Sequence, residues 1–330
     1  MFAVKRNKPS LSIILIGLSG LLLVNAIASV FLGPVNINLW QDELTAFDKV
    51  VIFELRLPRL ILAMFVGALL SVCGAVMQGL FRNPLAEPGV TGVSAGAALG
   101  AVISLVLFGD IVWLTPIAAF VGGLVVTFLV WQLAHHAKGT SVVMLLLAGI
   151  AITALAGAAI GYLSLVADND TLRDVSLWQM GSVSGAATAD LLIAGLTLII
   201  LLLLFQRHAP ALNALALGES EARHLGIDVE LLKSRLILFC AAGVGVAVAF
   251  SGIIGFLALV VPHCVRLLIG PDHRVLIPLS ALLGALLLSL SDLVARLWIA
   301  PAELPVGLVT ALFGAPFFFF LLVQQRHKLQ

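Results

Sequence analysis

The chain of 330 residues is too apolar and too poor in charge to be a soluble protein. Hydrophobic residues make up 61% of it and charged residues only 11%, whereas soluble domains carry about 25% charged residues. The formal net charge of +1 argues against nucleic acid as a partner, since such partners favour strongly basic surfaces. The composition therefore predicts a polytopic membrane protein.

Ten apolar stretches approach the length of roughly 20 residues that a helix needs to cross a bilayer. They lie near residues 11–32, 59–81, 91–108, 113–134, 142–166, 190–206, 234–250, 253–269, 276–297 and 306–323. No small-residue cleavage site follows the first stretch, which is therefore interpreted as a span and not as a signal peptide. We predict an all-α fold of about ten spans, in a single transmembrane domain over residues 1–330.

The distribution of basic residues among the loops predicts the orientation of these spans. If the N-terminus is inside, all but five of the 18 lysines and arginines lie on the cytoplasmic side. The outer five are Lys49, Arg56, Arg59, Arg173 and Arg296. Because cytoplasmic loops carry the excess of basic residues, both termini are predicted to be cytoplasmic.

Small residues mark the places where spans are expected to touch. Gly92, Gly96 and Gly100 recur every fourth residue along the third span, and Gly157 and Gly161 repeat this spacing on the fifth. Such spacing is typical of close packing between membrane helices. Helix packing is the preferred interpretation, and a direct contact with a ligand is the alternative.

Segment 167–189, between the fifth and sixth spans, is too polar to cross a membrane. Its residues Leu172, Val175 and Met180 have the spacing of one face of a helix. A short surface helix is predicted there.

The polar stretch 207–230 separates two apolar spans on the predicted cytoplasmic side. Written as a helix, it has an apolar side and a charged side. The apolar side carries Leu212, Leu215, Leu217 and Leu225, and the charged side carries Glu219, Glu221 and Arg223. Gly218 and Gly226 stand where a helix-turn-helix requires positive φ angles. The stretch is interpreted either as a docking element for a partner or as an interfacial loop that covers lipid headgroups.

The chemistry expected of an enzyme or of an ion-coupled carrier is missing from the sequence. It has no GxxxxGK[ST] phosphate-binding motif, and its predicted spans carry no series of acidic residues for a proton relay. Asp292 and Arg296 are spaced as an i,i+4 ion pair. His263 has no second histidine or carboxylate at ligand spacing, so a structural role is preferred over metal binding. We therefore predict no catalytic residue, no metal site and no cofactor bound by this chain.

The order of several motifs resembles one known family. They are RLPR from Arg56, FRNPLAEPGVTGVSAGAALG from Phe81, LLLAG from Leu145, LALGESEARHLGI from Leu215, GIIGFLALVVPHCVRLLIGPDHR from Gly252 and AELPVGLVTALFGAPFF from Ala302. The chain resembles the permease subunits of bacterial iron-chelate, haem and cobalamin importers, the type II or FecCD-like ABC importers. The blocks cover most of the chain from Arg56 onward and are specific only when taken together.

The resemblance implies a complex in which this chain is the membrane subunit. A homodimer of ten-span subunits would carry the substrate along its two-fold axis in the bacterial inner membrane. Two cytoplasmic ATPase subunits, which bind the ATP and Mg²⁺, and one periplasmic substrate-binding protein would complete it. The missing phosphate-binding motif agrees with an energy source on a separate subunit.

The resemblance also implies roles for particular positions. Residues 213–228 would form the two coupling helices that enter a cleft on the ATPase. The positions concerned are Asn213, Leu217, Gly218, Glu219, Glu221, Arg223, Gly226 and Asp228. Thr140 and Ser141, in the loop that begins at Lys138, would form the cytoplasmic gate. Arg56, Arg59 and Arg296 would meet acidic residues of the binding protein, and the alternative for each is an interfacial anchor.

The sequence leaves alternatives both for the transported substrate and for the class of membrane protein. The motifs GPDHR, RNPLAEPG and AELPVG look most like haem permeases, although cobalamin permeases share nearly all of them. Haem is therefore ranked first, cobalamin second and ferric siderophores third. A non-ABC secondary carrier of lipophilic solutes, or a membrane scaffold without transport, is the competing class.

Overall fold

The computed structural model is almost entirely helical, and it describes residues 10–35, 37, 45–109, 111, 113–136 and 139–326. Its α-helices are α1 (Leu11–Phe31), α2 (Ala46–Val50), α3 (Leu57–Leu80), α4 (Val93–Phe108), α5 (Leu114–Ala134), α6 (Val142–Val166), α7 (Asn169–Gln179), α8 (Thr188–Leu215), α9 (Glu219–His224), α10 (Val229–Ser251), α11 (Leu257–Ile269), α12 (His273–Leu297) and α13 (Val306–Arg326). A π-helical segment, Val51–Arg56, joins α2 to α3, and a 3₁₀ turn, Pro88–Thr91, precedes α4. Two antiparallel two-residue strands, β1 (His135–His136) and β2 (Gly139–Thr140), link α5 to α6.

Seven helices of the described chain are long and apolar enough to cross a membrane. They are α1, the continuous helix Ala46–Leu80, α5, α6, α8, α10 and α12. Three shorter apolar segments, α4, α11 and Val306–Phe320 within α13, lie at the other positions where spans were predicted. Each predicted stretch therefore contains an apolar helix, and length and composition alone support seven crossings.

The continuous helix Ala46–Leu80 forms the centre of the bundle, because 83% of the residues in its apolar 18-residue stretch are buried. Glycines let its neighbours approach closely. Gly67 lies against the carbonyl oxygen of Gly284 on α12, and Gly74 lies against the backbone of Ala258 on α11. A Cβ atom at either glycine would overlap with main-chain atoms of the neighbouring helix. The second span was predicted to begin near residue 59, and the helix in fact continues back to Ala46.

The glycine series on α4 lies at a helix contact. Gly96 lies against the carbonyl oxygen of Gly122, and Gly100 lies against that of Ala118, both on α5. Gly92 precedes the first residue of α4 with a φ of +78°. The glycines of α6 differ from these, because Gly157 and Gly161 have open space where a Cβ atom would stand. Among the described residues, therefore, no other helix packs against the pair on α6.

The short surface helix predicted in segment 167–189 is confirmed as α7. Asp168 begins it, because its side chain accepts a hydrogen bond of 2.8 Å from the backbone N–H of Thr171. This hydrogen bond holds the pKa of the exposed Asp168 carboxyl below its usual value. Val175 is buried, whereas Leu172 and Met180 lie on the exposed side. The helix covers the end of the bundle opposite to α9.

Candidate functional site

The polar stretch 207–230 forms a compact element at one end of the bundle. Helix α8 continues through Pro210 to Leu215, and α9 follows as a separate helix of six residues. The prediction of two short helices is therefore corrected, because only α9 stands apart. The extension of α8 is stable because Ala209, Leu212 and Leu215 are fully buried against the bundle.

The two glycines of this element have the backbone conformation that the sequence predicted. Gly218 has a φ of +129° and Gly226 a φ of +82°, one on each side of α9. L side chains rarely adopt either angle. Nothing lies within 4 Å of a Cβ atom built on Gly226, so its conformation, and not its surroundings, requires glycine there.

The four leucines predicted to share an apolar side divide into two pairs. Leu212 and Leu215 are buried, whereas Leu217 is 71% exposed and Leu225 is 64% exposed. The exposed pair flanks α9, whose charged residues lie between them. Two apolar side chains around a short charged helix form a surface suited to a protein partner. We call Leu217, α9 and Leu225 the α9 face.

A buried lysine holds α9 against α10 and the β-hairpin. The ammonium group of Lys233 lies 2.9 Å from Glu219 Oε1 and 3.3 Å from Glu230 Oε1, and the Lys233 side chain is only 4% exposed. It also donates a hydrogen bond of 3.4 Å to the carbonyl oxygen of Thr140. Arg223 adds longer contacts of 3.7 and 3.6 Å to the same two carboxylates. Sequence reasoning missed Lys233 and Glu230, although their i,i+3 spacing was visible.

The β-hairpin carries the predicted gate residues. The backbone N–H of Thr140 donates to Glu230 Oε2 at 2.6 Å, and the Thr140 hydroxyl lies 3.1 Å from His135 Nδ1. Ser141 begins α6 by accepting a bond of 3.4 Å from the N–H of Met144. Thr140 is buried and Ser141 is exposed, so the two side chains lie in different environments. Lys138, at the start of the predicted gate loop, lies outside the described residues.

Asn213, one of the predicted coupling residues, joins the end of α8 to the start of α12. Its Nδ2 donates to Asp272 Oδ1 at 2.6 Å, and its Oδ1 accepts a bond of 2.9 Å from the backbone N–H of His273. The backbone N–H of Arg274, followed by the Asn213 amide, holds the pKa of the Asp272 carboxyl below its usual value. Asn213 thus contacts this chain's own helices and is not part of the α9 face. Asp228 begins α10 by accepting a bond of 3.0 Å from the N–H of Leu231.

At the opposite end of the bundle, an ionic cluster joins α3 to α12. The Arg59 guanidinium contacts both carboxylate oxygens of Asp292, at 2.9 and 3.1 Å through Nε, and it contacts Glu303 at 2.6 Å through Nη1. Arg296 Nε lies 3.3 Å from Asp292, an ion-pair distance that lacks hydrogen-bond geometry. The predicted pair of Asp292 and Arg296 is therefore confirmed. Arg59, which completes the cluster, was not predicted as a member.

The three arginines predicted to dock a partner have partners within this chain. Arg56 is 6% exposed and donates to the carbonyl oxygens of Val30 and Phe31 at 2.9 Å. Arg296 is 3% exposed and donates to the carbonyl oxygen of Ser29 at 3.1 Å. These contacts satisfy main-chain acceptors near the C-terminal end of α1. In this structure none of the three guanidinium groups is free to bind a partner's carboxylate.

The described ranges contain no group of three or more His, Cys, Asp or Glu side chains that could hold a metal ion. Cys73 and Cys240 are buried and Cys264 is half-buried, and none of them is in a disulfide. The ion pairs of the described residues lie at the two ends of an apolar bundle. Such an arrangement can bind partners at its ends.

Comparisons with a family model, with related sequences and with a solved structure all give matches over most of the chain. The model of the FecCD transport family matches residues 21–324. The chain is 43% identical over 316 residues to the hemin transport system permease HmuU of Yersinia pestis, covering 93% of this chain and 94% of the relative. It is 42% identical over 296 residues to the vitamin B12 import system permease BtuC of Vibrio cholerae, covering 88% of each. A solved metal-chelate-type ABC transporter in an inward-facing conformation superposes with a TM-score of 0.86 and 33% identity, covering 95% of this chain and 99% of that one.

Proposed function

The chain belongs to the FecCD transport family of ABC importer permeases, and we propose that it carries haem from the periplasm to the cytoplasm. It would do so as a ten-span homodimer in the bacterial inner membrane, with both termini in the cytoplasm. Two ATPase subunits would bind the ATP and Mg²⁺, and a periplasmic binding protein would deliver the haem. The observation that carries this proposal is the α9 face, an exposed surface held in place by a buried lysine.

We propose that the α9 face is the ATPase dock. Leu217 and Leu225 supply apolar contacts, and Glu219, Glu221 and Arg223 supply the charged ones. Gly218 and Gly226 set the angle at which α9 leaves the bundle. Lys233 joins α9 to α10 and to the hairpin. A displacement of α9 would therefore be transmitted to Thr140 through two contacts, from Glu219 to Lys233 and from Lys233 to the Thr140 carbonyl oxygen. Asn213 and Asp228 contribute by anchoring the two ends of the element.

The cytoplasmic gate is proposed at Thr140 and Ser141, with one copy from each subunit. Both side chains are small and polar, so two copies can approach and separate without leaving a charge in the membrane. Cysteines placed at these two positions should cross-link across the dimer more in one nucleotide state than in another. Equal cross-linking in every state, or none in any, would remove the gate from this hairpin.

Docking of the binding protein is proposed at the Arg59 end of the bundle. Glu303 is the exposed member of that cluster, since its side chain is 39% exposed. A carboxylate of the binding protein would compete with Glu303 for Arg59, while Arg56 and Arg296 hold the surrounding helix ends. Stopped-flow association with the detergent-solubilised complex should slow when Arg59 is replaced by glutamate and should also slow as salt rises. A rate that ignores both changes would leave the arginines a purely internal role.

The homodimer is supported by the exposed small residues of α6. Only 17% of the residues in the apolar 18-residue stretch of α6 are buried within this chain, and its Gly157 and Gly161 have open space beside them. Small residues on a membrane helix allow a second helix to approach closely. A cysteine at Gly157 should therefore cross-link to its copy in the other subunit. Failure of that cross-link in membranes would place the two-fold axis elsewhere.

Haem is ranked before cobalamin because the motifs GPDHR, RNPLAEPG and AELPVG look most like haem permeases. The hemin and cobalamin relatives are similar to this chain to nearly the same degree, 43% over 93% of it and 42% over 88% of it. Cobalamin is the second candidate and ferric siderophores are the third. The test is ATP-driven uptake into proteoliposomes that contain the complete complex and its cognate binding protein. Haem should accumulate, and cobalamin and ferric chelates should not. Uptake of cobalamin in its place would assign the same architecture to that substrate.

A further inference from the structure

An apolar groove of about 310 Å³ lies between α5 and α10, at the end of the bundle that carries α9. Helix α5 contributes Thr127, Phe128 and Trp131, and α10 contributes Arg235 and Leu238. Phe128 and Leu238 are more than half exposed, so the groove opens to the outside of the bundle. In a membrane that outside is lipid. We call this feature the α5–α10 groove.

Two polar atoms in the α5–α10 groove are buried without a partner. Thr127 is 3% exposed, and its hydroxyl has no hydrogen bond within the described chain. The indole N–H of Trp131 is also buried and unpaired there. Buried polar groups are nearly always satisfied in folded proteins. Two unpaired groups that line one groove point to a ligand with hydrogen-bond acceptors.

A positive charge stands at the rim of the same groove. Arg235 is exposed, and it forms no ion pair with any carboxylate of the described residues. It lies six residues after the first residue of α10, or about 9 Å along the helix axis. From that depth an arginine side chain can reach the level of the lipid headgroups. An arginine without a carboxylate beside an apolar groove is complementary to an anion that carries an apolar chain.

We infer that the α5–α10 groove binds one anionic phospholipid of the cytoplasmic leaflet. Its phosphate would pair with Arg235, and rotation of the two side chains would bring the buried Trp131 Nε1 and Thr127 hydroxyl to its ester oxygens. An acyl chain would lie along Phe128 and Leu238. Basic pockets between membrane helices on this side of the bilayer suit anionic headgroups. The inference concerns binding alone and does not depend on the substrate of the permease.

The groove also lies next to the hairpin. The Trp131 ring stacks on His135, with ring centres 5.1 Å apart, and His135 Nδ1 lies 3.1 Å from the Thr140 hydroxyl. A lipid seated on the indole is therefore separated from Thr140 by two side chains. Its binding would stabilise the hairpin in the conformation seen here.

Tryptophan fluorescence can report on the groove directly. The chain has five tryptophans, and a parent variant would keep Trp131 while the other four are replaced by phenylalanine. The full-length protein is reconstituted in phosphatidylcholine that contains a small, equal fraction of brominated phosphatidylglycerol or brominated phosphatidylcholine. Bromine quenches the indole on contact. Brominated phosphatidylglycerol should quench Trp131 several-fold more than brominated phosphatidylcholine does.

The preference for the anionic lipid should depend on one particular arginine. Arg235→Gln should weaken the relative association of phosphatidylglycerol by about five-fold, the usual contribution of one basic residue near an anionic surface. Arg235→Lys should retain most of the preference. The matched control is Arg207→Gln, because Arg207 is an exposed arginine at the same end of the bundle, on α8 and outside the groove.

Several results would overturn the inference. Equal quenching by the two brominated lipids in the parent variant would do so without any arginine substitution, even if Arg235→Gln failed to fold. Equal losses in Arg235→Gln and Arg207→Gln would show only general attraction to an anionic surface. Removal of the phosphatidylglycerol preference by added inorganic phosphate would assign the groove to a free anion.

Discussion

The two ends of the bundle use buried charge in opposite ways. At the end that carries α9, Lys233 is buried while its partners Glu219 and Glu230 remain partly exposed, and two exposed leucines stand beside them. At the other end, Asp292 and Arg296 are both buried and their contacts are with this chain. The first arrangement leaves two apolar side chains exposed for a partner, whereas the second buries its ion pair within this chain and exposes only Glu303. We therefore expect substitutions at the α9 end to change coupling, and substitutions at the Arg59 end to change stability.

The largest expected effect is that of Asp292→Asn. It removes the charge shared by Arg59 and Arg296 and leaves two guanidinium groups without a buried counterion. Breaking a buried ion pair in this way destabilises a protein by about 3 kcal/mol or more. Thermal unfolding of the detergent-solubilised protein should show a large decrease in Tm. Glu303→Gln is the control, because its side chain is exposed and its pair should contribute less than about 1 kcal/mol.

Lys233→Met should have a smaller effect on stability and a larger one on coupling. The methionine keeps the volume of the buried side chain, and the two carboxylates that lose the ammonium group are partly hydrated. We expect a loss of about 2 kcal/mol, between the values for exposed and buried pairs. In the complete complex, the ratio of substrate-stimulated to basal ATPase activity should fall several-fold.

A matched variant sharpens this test. Arg223→Gln removes the longer contacts to the same two carboxylates, from a side chain that is largely exposed. Its Tm should stay close to that of the wild type, since an exposed pair contributes little. If Arg223→Gln lowered the Tm as much as Lys233→Met, the buried lysine would not be the residue that holds α9 against α10.

Replacing both exposed leucines of the α9 face with serine should weaken only the contact with the ATPase. Leu217 and Leu225 bury little area within this chain, so the Tm should not change. Loss of about 1.5 kcal/mol of apolar contact would weaken ATPase binding roughly tenfold. Binding can be measured by titrating labelled ATPase into the solubilised permease. The control is Leu172→Ser, an exposed leucine of α7 at the opposite end, which should leave the affinity unchanged.

Patterns within a single segment were sufficient to predict much of the fold. Apolar runs predicted a helix at every position where the structure has an apolar one, and the glycines at 218 and 226 predicted the two turns around α9. The limits of the helices were less accurate. Charged residues such as Asp48 and Arg56 lowered the apolarity of the region before residue 59, although the helix Ala46–Leu80 includes them. Polar residues at a helix end are tolerated where capping bonds or main-chain carbonyl oxygens satisfy them.

Contacts between distant segments could not be read from the sequence. Arg59 and Asp292 are 233 residues apart, and no local spacing brings them together. The three outer arginines were predicted to face a partner because their charge opposes the positive-inside bias. In the structure these arginines bind groups of the same chain: Arg56 and Arg296 donate to carbonyl oxygens at the end of α1, and Arg59 contacts Asp292. These contacts within the chain depend on the packing of α1, α3 and α12, and docking of a partner at the same arginines stays a prediction.

The most direct test of the central claim, that the α9 face is the ATPase dock, is a pair of glycine substitutions. Gly226→Val and Gly185→Val each place a β-branched residue at a positive φ, +82° and +74°, with no atom close to the new side chain. The strain is therefore similar, while one site adjoins α9 and the other lies in the loop after α7. We predict that Gly226→Val abolishes co-purification of the ATPase and substrate-stimulated hydrolysis, and that Gly185→Val preserves both. Unchanged co-purification and hydrolysis in Gly226→Val would contradict the account.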